Sequence, residues 1–242
     1  MYQKTLGIVL RTTKYNDTSM IVDMYTDNFG RVAFVSPISR SKRSSVRSNL
    51  FQPLSIIEFE TDYRANKTMQ RLKDAKSNVP FTTIPYDMYK SAMVFFISEF
   101  LCRVIKEEAE NKELFEYIMY SIMWLDSREK DFSNFHLVFL VKLSRFIGLF
   151  PNTDNFQKGS YFDIRNSHFV SKPTDIGGEY ISPEDAEFIN KLLRINFDNM
   201  HVFRLNGAER NRCLSVMCTY FSIHIPNFTA LKSLDVLREV FE

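Results

Sequence analysis

Across the stretch NVPFTTIPYDMY, residues 78–89, the spacing of apolar side chains changes. Before it they alternate; after it they recur every three or four positions. The first period belongs to half-buried strands, the second to helices with one buried face. Two prolines, Pro80 and Pro85, punctuate the change. The chain therefore reads as an α+β protein, with a small β domain over residues 1–80 and a mostly α-helical domain over residues 81–242.

In the β part, TLGIVLRT and SMIVDMYT are separated by the polar turn KYNDT. DNFGR follows, where Gly30 can supply the positive φ of a hairpin turn. In RVAFVSPI, Val32 and Phe34 share one face; in FQPLSIIEFETDY, Ile57 and Phe59 alternate with Glu58 and Glu60. MQRLKDAKS reads as a fifth, polar strand. Five short strands with a long connection after the third fit an N-terminal OB-fold barrel.

In the helical part, DMYKSAMVFFISEFLCRVIKEEA places Met93, Phe96, Ile97, Phe100, Leu101 and Val104 on one stripe. KELFEYIMYSIMWLDS is a second helix. FSNFHLVFLVKLSRFIGLFP is a third, apolar on nearly every side until Gly148 and Pro151 end it. The pattern lapses over residues 152–181, where GSYFDIRNSHFVSKPTDIGGEY reads as a small inserted β module. It resumes at SPEDAEFINKLL, with Ser182 as N-cap and Pro183 in the first turn. NGAERNRCLSVMCTYFSIHI and SLDVLREVFE are the last two helices.

The net charge of +2 conceals a division: residues 1–80 hold 13 Lys and Arg against 7 Asp and Glu, the remainder 18 against 22. SRSKRSSVR, residues 39–47, contributes Arg40, Lys42, Arg43 and Arg47 without a carboxylate. Cations on a small barrel suit nucleic acid, because each neutralised phosphate releases condensed counterions. Arg11, Arg31, Arg64, Arg71, Lys73 and Lys76 can extend that surface. Tyr15, Tyr25 and Tyr63 serve either as rings for stacking bases or as core and rim of the barrel. The alternative is a protein-interaction scaffold whose barrel binds acidic peptides.

Enzymatic signatures are absent from the sequence. No GxGxxG or GxxxxGK[ST] phosphate loop occurs, and His136, His168, His201 and His224 are dispersed without an HExxH pairing. The carboxylates of KEEAE and SPEDAE sit at helix ends, where solvent or the helix dipole accounts for them. No catalytic residue, metal or cofactor is expected. Cys102, Cys213 and Cys218 lack CxxC spacing, and the last two read as buried thiols. MYQKTLGIVLRTTKYND carries no secretory pattern and no run of eighteen apolar residues occurs, so the expectation is cytoplasmic residence without a membrane span.

YTDNFGRV, SRSKRSSVR and LFQPLSIIEF, in this order, resemble the opening of the bacterial recombination-mediator family RecO. NFHLVFLVKLSRFIGLFP is similar to that family's FELRLLRLLGYAP helix, and TALKSLDVLREVF to its LKSLEVLREL tail. The resemblance implies an OB-fold, a helical body and a small inserted module. It also implies binding of single- and double-stranded DNA, annealing of complementary strands, and cooperation with RecR and single-stranded-DNA-binding protein (SSB) in loading RecA at the nucleoid. A further implication is capture of the acidic, hydrophobic SSB C-terminal tail on the helical body. Such a tail needs an apolar socket and a cation; Lys142 and Arg145 beside Leu143, Phe146 and Leu149, flanked by Lys232, supply candidates. The chain departs from the family at two places. Many members carry four cysteines in the inserted module; this chain has none there, so a metal-free module held by Tyr161, Phe162, Ile164 and Phe169 is expected. SPIS stands where the family has a glycine before the basic loop.

Overall fold

The computed structural model describes residues 2–38, 48–106, 109–174 and 177–241; Arg40, Lys42, Arg43 and Arg47 lie outside the described residues. Met1–Ser127 with Leu231–Leu237 form one compact unit, and Arg128–Ala230 with Arg238–Glu242 form another. The change of apolar spacing at residues 78–89 thus marks a change of secondary structure inside the first unit. Helices α1 (Met88–Val104) and α2 (Lys112–Ser127) belong to that same unit.

The first unit opens with six strands: β1 (Gln3–Lys14), β2 (Ser19–Thr26), β3 (Gly30–Pro37), β4 (Ile56–Thr61), β5 (Gln70–Arg71) and β6 (Lys73–Val79). They form one sheet in the order β5-β3-β2-β1-β4-β6. β5 and β6 stand at opposite ends of that order, yet only Leu72 separates them in sequence. One residue carries the chain from one edge to the other, so the sheet curls into an OB-like barrel. MQRLKDAKS is therefore two strands and not one. Leu72 drops into the core at the corner between the two, and Asp74, inside β6, takes a left-handed φ of 50° where the register of β6 against β4 shifts.

The expected inward faces fill the barrel: Val32, Phe34, Ile57 and Phe59 pack with Val9, Val22, Met24, Leu72 and Ala75. The Phe34 and Phe59 rings meet edge-on at 4.9 Å. Gly7 permits this closeness, since a Cβ there would approach the Phe59 ring to 2.9 Å. Gly30 has the positive φ of the β2–β3 turn, 65°. On the outer side of β1, Leu10 accepts a 2.5 Å hydrogen bond from Ser98 Oγ of α1. The linker between barrel and helices is fixed by a polar knot. Asp126 accepts the backbone N–H groups of Thr82, Thr83 and Ile84, each at 2.9 Å. Buried Lys90 donates to Thr83 Oγ1 at 2.5 Å beside it.

The second unit contains α3 (Phe135–Phe146), α4 (Pro183–Leu192) and α5 (Gly207–His224), together with β7 (Tyr161–Asp163), β8 (His168–Val170) and β9 (Tyr180–Ile181). A final helix, α6, runs Ser233–Val240. Residues 135–141 of α3 are all buried, as a core helix requires. Ser182 caps α4 as anticipated, and Asn206 with Glu209 forms a capping box on α5. The inserted module is the three-stranded sheet β8-β7-β9. Phe162, Ile164 and Phe169 are buried and Tyr161 half-buried; Phe156 joins them, edge-on to Phe169 at 5.0 Å. No helix among the described residues is long and apolar enough to cross a membrane.

Candidate nucleic-acid interface

The most firmly bonded cation described in the barrel is Arg31, and its donors are turned inward. On the outer face of β3 it meets Asp23 of β2 in a two-pronged contact, with Nε to Oδ1 at 3.1 Å and Nη2 to Oδ2 at 2.6 Å. Its Nη1 donates to the carbonyls of Cys102 and Ile105, at 2.8 and 2.5 Å, where α1 ends. Burial opposes the guanidinium charge, but the Asp23 hydrogen bonds and charge outweigh it and raise its pKa. The structure thus places Arg31 as a clamp between barrel and α1, facing the surface through its partner Asp23.

The other described cations of the barrel lie outside and are mostly paired. Arg11 approaches Asp23 at 3.6 Å, Arg64 meets Asp62 at 2.8 Å, Lys73 meets Asp74 at 3.6 Å, and Lys76 meets Glu58 at 2.8 Å. Lys73 also lies 4.7 Å from the exposed Tyr2 ring. Each of these four cationic side chains is more than half exposed. Arg71, on the two-residue β5, makes no ion pair among the described residues, and neither does Lys67. Nine of the thirteen cations in residues 1–80 are described, against all seven carboxylates. Most of the surplus of charge therefore resides in Arg40, Lys42, Arg43 and Arg47. Of the three tyrosines, Tyr25 is buried against Phe115, Tyr63 stacks on Phe29 at 4.2 Å, and Tyr15 is exposed in the β1–β2 turn.

One concavity gathers groups that the sequence did not bring together. A groove of about 440 Å³ lies on the outer side of β2 and β3 beneath the connection between β4 and β5. Asp23, Arg31 and Ala33 line its floor, Tyr63, Ala65, Asn66 and Thr68 its wall, with Lys67 and Lys106 also lining it. Sequence reasoning passed over Lys67 because ANKT reads only as a connection between strands. Its signal was an OB-like barrel, in which the face of strands 2 and 3 and the loop after strand 4 form the usual ligand site.

The second unit carries a different surface. On α3, Lys142 lies 5.9 Å from the Phe197 ring and Arg145 only 4.0 Å from the Phe150 ring. Phe146 and Leu149 are half-buried beside them, whereas Leu143 is fully buried in the core beneath. Phe150 and Phe197, which give the cations their apolar seats, were not anticipated. Lys232 belongs to the first unit, where its backbone N–H donates to Glu99 at 3.2 Å.

Ser167 and His224, a nucleophile and base by type, are occupied structurally. Ser167 Oγ stands 3.3 Å from His224 Nε2, but that nitrogen donates to the Ile164 carbonyl at 2.7 Å and has no lone pair for a serine proton. Among the described residues, no three of His, Cys, Asp or Glu converge as metal ligands do.

Comparison with known proteins agrees with this architecture over the whole chain. Residues 1–81 match the family model described as "Recombination protein O N terminal", and residues 85–235 match "Recombination protein O C terminal". A protein of Bacteroides fragilis named "DNA repair protein RecO" is 52% identical over 242 residues, covering 100% of both chains. Proteins of the same name from Phocaeicola vulgatus and Flavobacterium johnsoniae are 53% and 35% identical, again covering 100% of both chains. With both halves matched and full-length relatives above half identity, the chain belongs to the recombination protein O family, RecO.

Proposed function

We propose that this chain is a DNA repair and recombination mediator that binds single- and double-stranded DNA, anneals complementary strands and performs no covalent chemistry. In this reading residues 1–80 form the DNA-binding domain, and residues 81–242, with the module at about 152–181, form the partner-docking domain. The observation that carries the reading is the groove under the β4–β5 connection, in the position where OB barrels receive oligonucleotides, within a chain of the RecO family. Arg40, Lys42, Arg43 and Arg47 supply the uncompensated charge, joined by Arg71 and Lys67. Arg64, Lys73 and Lys76 exchange partly exposed carboxylate partners for phosphates at a cost of less than about 1 kcal/mol each. The more than half-exposed Arg11 reaches a phosphate from its 3.6 Å approach to buried Asp23. Arg31 supports the face from beneath. Two strands held on such a surface repel one another less, which is what annealing requires.

The same reading assigns the α3 surface to the acidic, hydrophobic C-terminal tail of SSB. Arg145 and Lys142 would meet its carboxylates while Phe146, Leu149, Phe150 and Phe197 take its apolar end. Cooperation with RecR, and indirectly with RecA, at the cytoplasmic nucleoid completes the proposal.

Fluorescence anisotropy with a mixed-sequence oligonucleotide, single-stranded and as a duplex, together with an annealing assay, tests it. Binding of both forms and faster annealing are expected. Capture of an acidic peptide with no affinity for either DNA form would instead establish the scaffold alternative.

A further inference from the structure

The small sheet of the inserted module ends in an open edge. In the order β8-β7-β9, β8 has β7 on one side and no strand on the other. The chain begins to cover that edge and then leaves it. Asn152 pairs in parallel with His168, its N–H donating to the Ser167 carbonyl at 2.8 Å. The next N–H but one, that of Asp154, turns back to Asn152 Oδ1 at 2.8 Å. Phe156 then drops onto Phe169, edge-on at 5.0 Å. Where the pairing stops, a cavity of about 460 Å³ opens between β8 and the segment that carries Asn155 and Gln157.

Five consecutive residues, from His168 to Lys172, line this cavity. Side chains of an extended chain alternate between two faces, so an unbroken run lines a cavity through its backbone edge. Backbone groups alternate as well. Because the Ser167 carbonyl faces Asn152, the carbonyl of Phe169 and the N–H of Ser171 face the cavity. Ser171 makes no hydrogen bond among the described residues. By the same alternation His168, Val170 and Lys172 share one face, and the buried Phe169 ring lies on the other. Lys172 is exposed and makes no ion pair among the described residues, and none of those lining the cavity is a carboxylate.

We propose that the β8 edge receives an extended segment of a partner protein as a fourth strand, one in which acidic residues alternate with apolar ones. Its backbone pairs with the Phe169 carbonyl and the Ser171 N–H. Its acidic side chains fall on the face of Lys172 and His168, its apolar ones on the face of Phe169. In strand addition the backbone supplies affinity and alternate side chains supply choice. A lysine at an open edge discourages indiscriminate pairing, and here it selects a strand of opposite charge. The inference uses no residue of the barrel or of the α3 surface and does not rest on the DNA-binding reading.

The test is fluorescence anisotropy on the full chain with a labelled peptide of about eight residues in which valine alternates with aspartate. Two further peptides carry N-methyl groups, one on each alternate set of backbone nitrogens. The unmodified peptide binds saturably. One methylated peptide loses about tenfold or more and the other binds as before, because only alternate N–H groups face the edge. Lys172→Glu weakens the unmodified peptide about tenfold, the loss of one charge-assisted hydrogen bond, and Ser171→Pro, which removes the outward N–H, weakens it as well. Arg145→Ala leaves it unchanged. Absence of binding, equal loss from both methylated peptides, or unchanged affinity in Lys172→Glu overturns the inference. Weakening by Arg145→Ala places the peptide on the α3 surface and overturns it too. So does a Lys172→Glu variant that loses affinity for DNA but not for the peptide, since the cavity is then a phosphate contact. If Ser171→Pro does not fold, Lys172→Glu, at an exposed position, decides the matter.

Discussion

His136 lies on α3 at 1% exposure, and its Nδ1 has no hydrogen-bond partner. Burial, then the charge of Arg210, pushes its pKa from 6.5 down to about 3. Below pH 6.5 the unfolded chain takes up a proton that the folded chain refuses, so stability falls as the pH drops toward the folded value. Between pH 7.5 and 5.5 the loss from this one residue is about 1.4 kcal/mol. His136→Leu gives up no Nδ1 bond and flattens that limb while holding stability near neutrality. Urea unfolding at the two pH values measures it; parallel pH dependence in parent and variant would refute the assignment. Asp126 shows the opposite case. Burial raises its pKa, but the N–H groups of Ile84, Thr82 and Thr83 outweigh burial and lower it. Its contribution is present above the ordinary carboxylate range and fades as the pH falls through the lowered value. Asp126→Ala leaves three N–H groups without an acceptor and costs about 3 kcal/mol or more, read from urea unfolding at pH 7. The sequence could not show this knot, because Lys90 and Asp126 are 36 positions apart and each sits among apolar neighbours that read as plain helix.

Elements were more legible than their junctions. The alternation of Val32 with Phe34 and of Ile57 with Phe59 located β3 and β4, because period two admits one inward face. The last barrel segment was harder: its polar residues conceal Leu72, whose inward turn closes the sheet. Leu72→Ala should cost roughly 2–4 kcal/mol and loosen the connection at residues 62–69, with faster amide exchange there than elsewhere in the sheet. Uniform exchange would show that closure does not depend on this corner. On α3 the apolar pattern revealed the helix, but not that Leu143 faces inward while Arg145 rests on Phe150, which depends on what packs around it. Arg145→Ala is expected to weaken binding of a labelled SSB-tail peptide about tenfold, the loss of a charge-assisted hydrogen bond, with little change in folding. Unchanged affinity would place the tail elsewhere.

For the molecule as a whole, the distribution of charge is the property on which function turns. Counting from the sequence gives residues 1–80 a surplus of six positive charges, but the structure spends most of the described cations on neighbouring carboxylates. What sequence could convey was the sign and the region; pairing depends on strand register, which sets Lys76 opposite Glu58 and Lys73 opposite Glu60. By count, four of the six surplus charges belong to SRSKRSSVR, so phosphate contact should follow that stretch above all others. Its direct measure is the slope of log affinity for single-stranded DNA against log salt, in the parent and in the variant with Arg40, Lys42, Arg43 and Arg47 all replaced by alanine. If each of the four cations neutralises one phosphate of a single strand, their removal reduces the slope by about 3. A reduction of that size, uniform across DNA sequences, is the predicted result; an unaltered slope with intact binding would contradict the account.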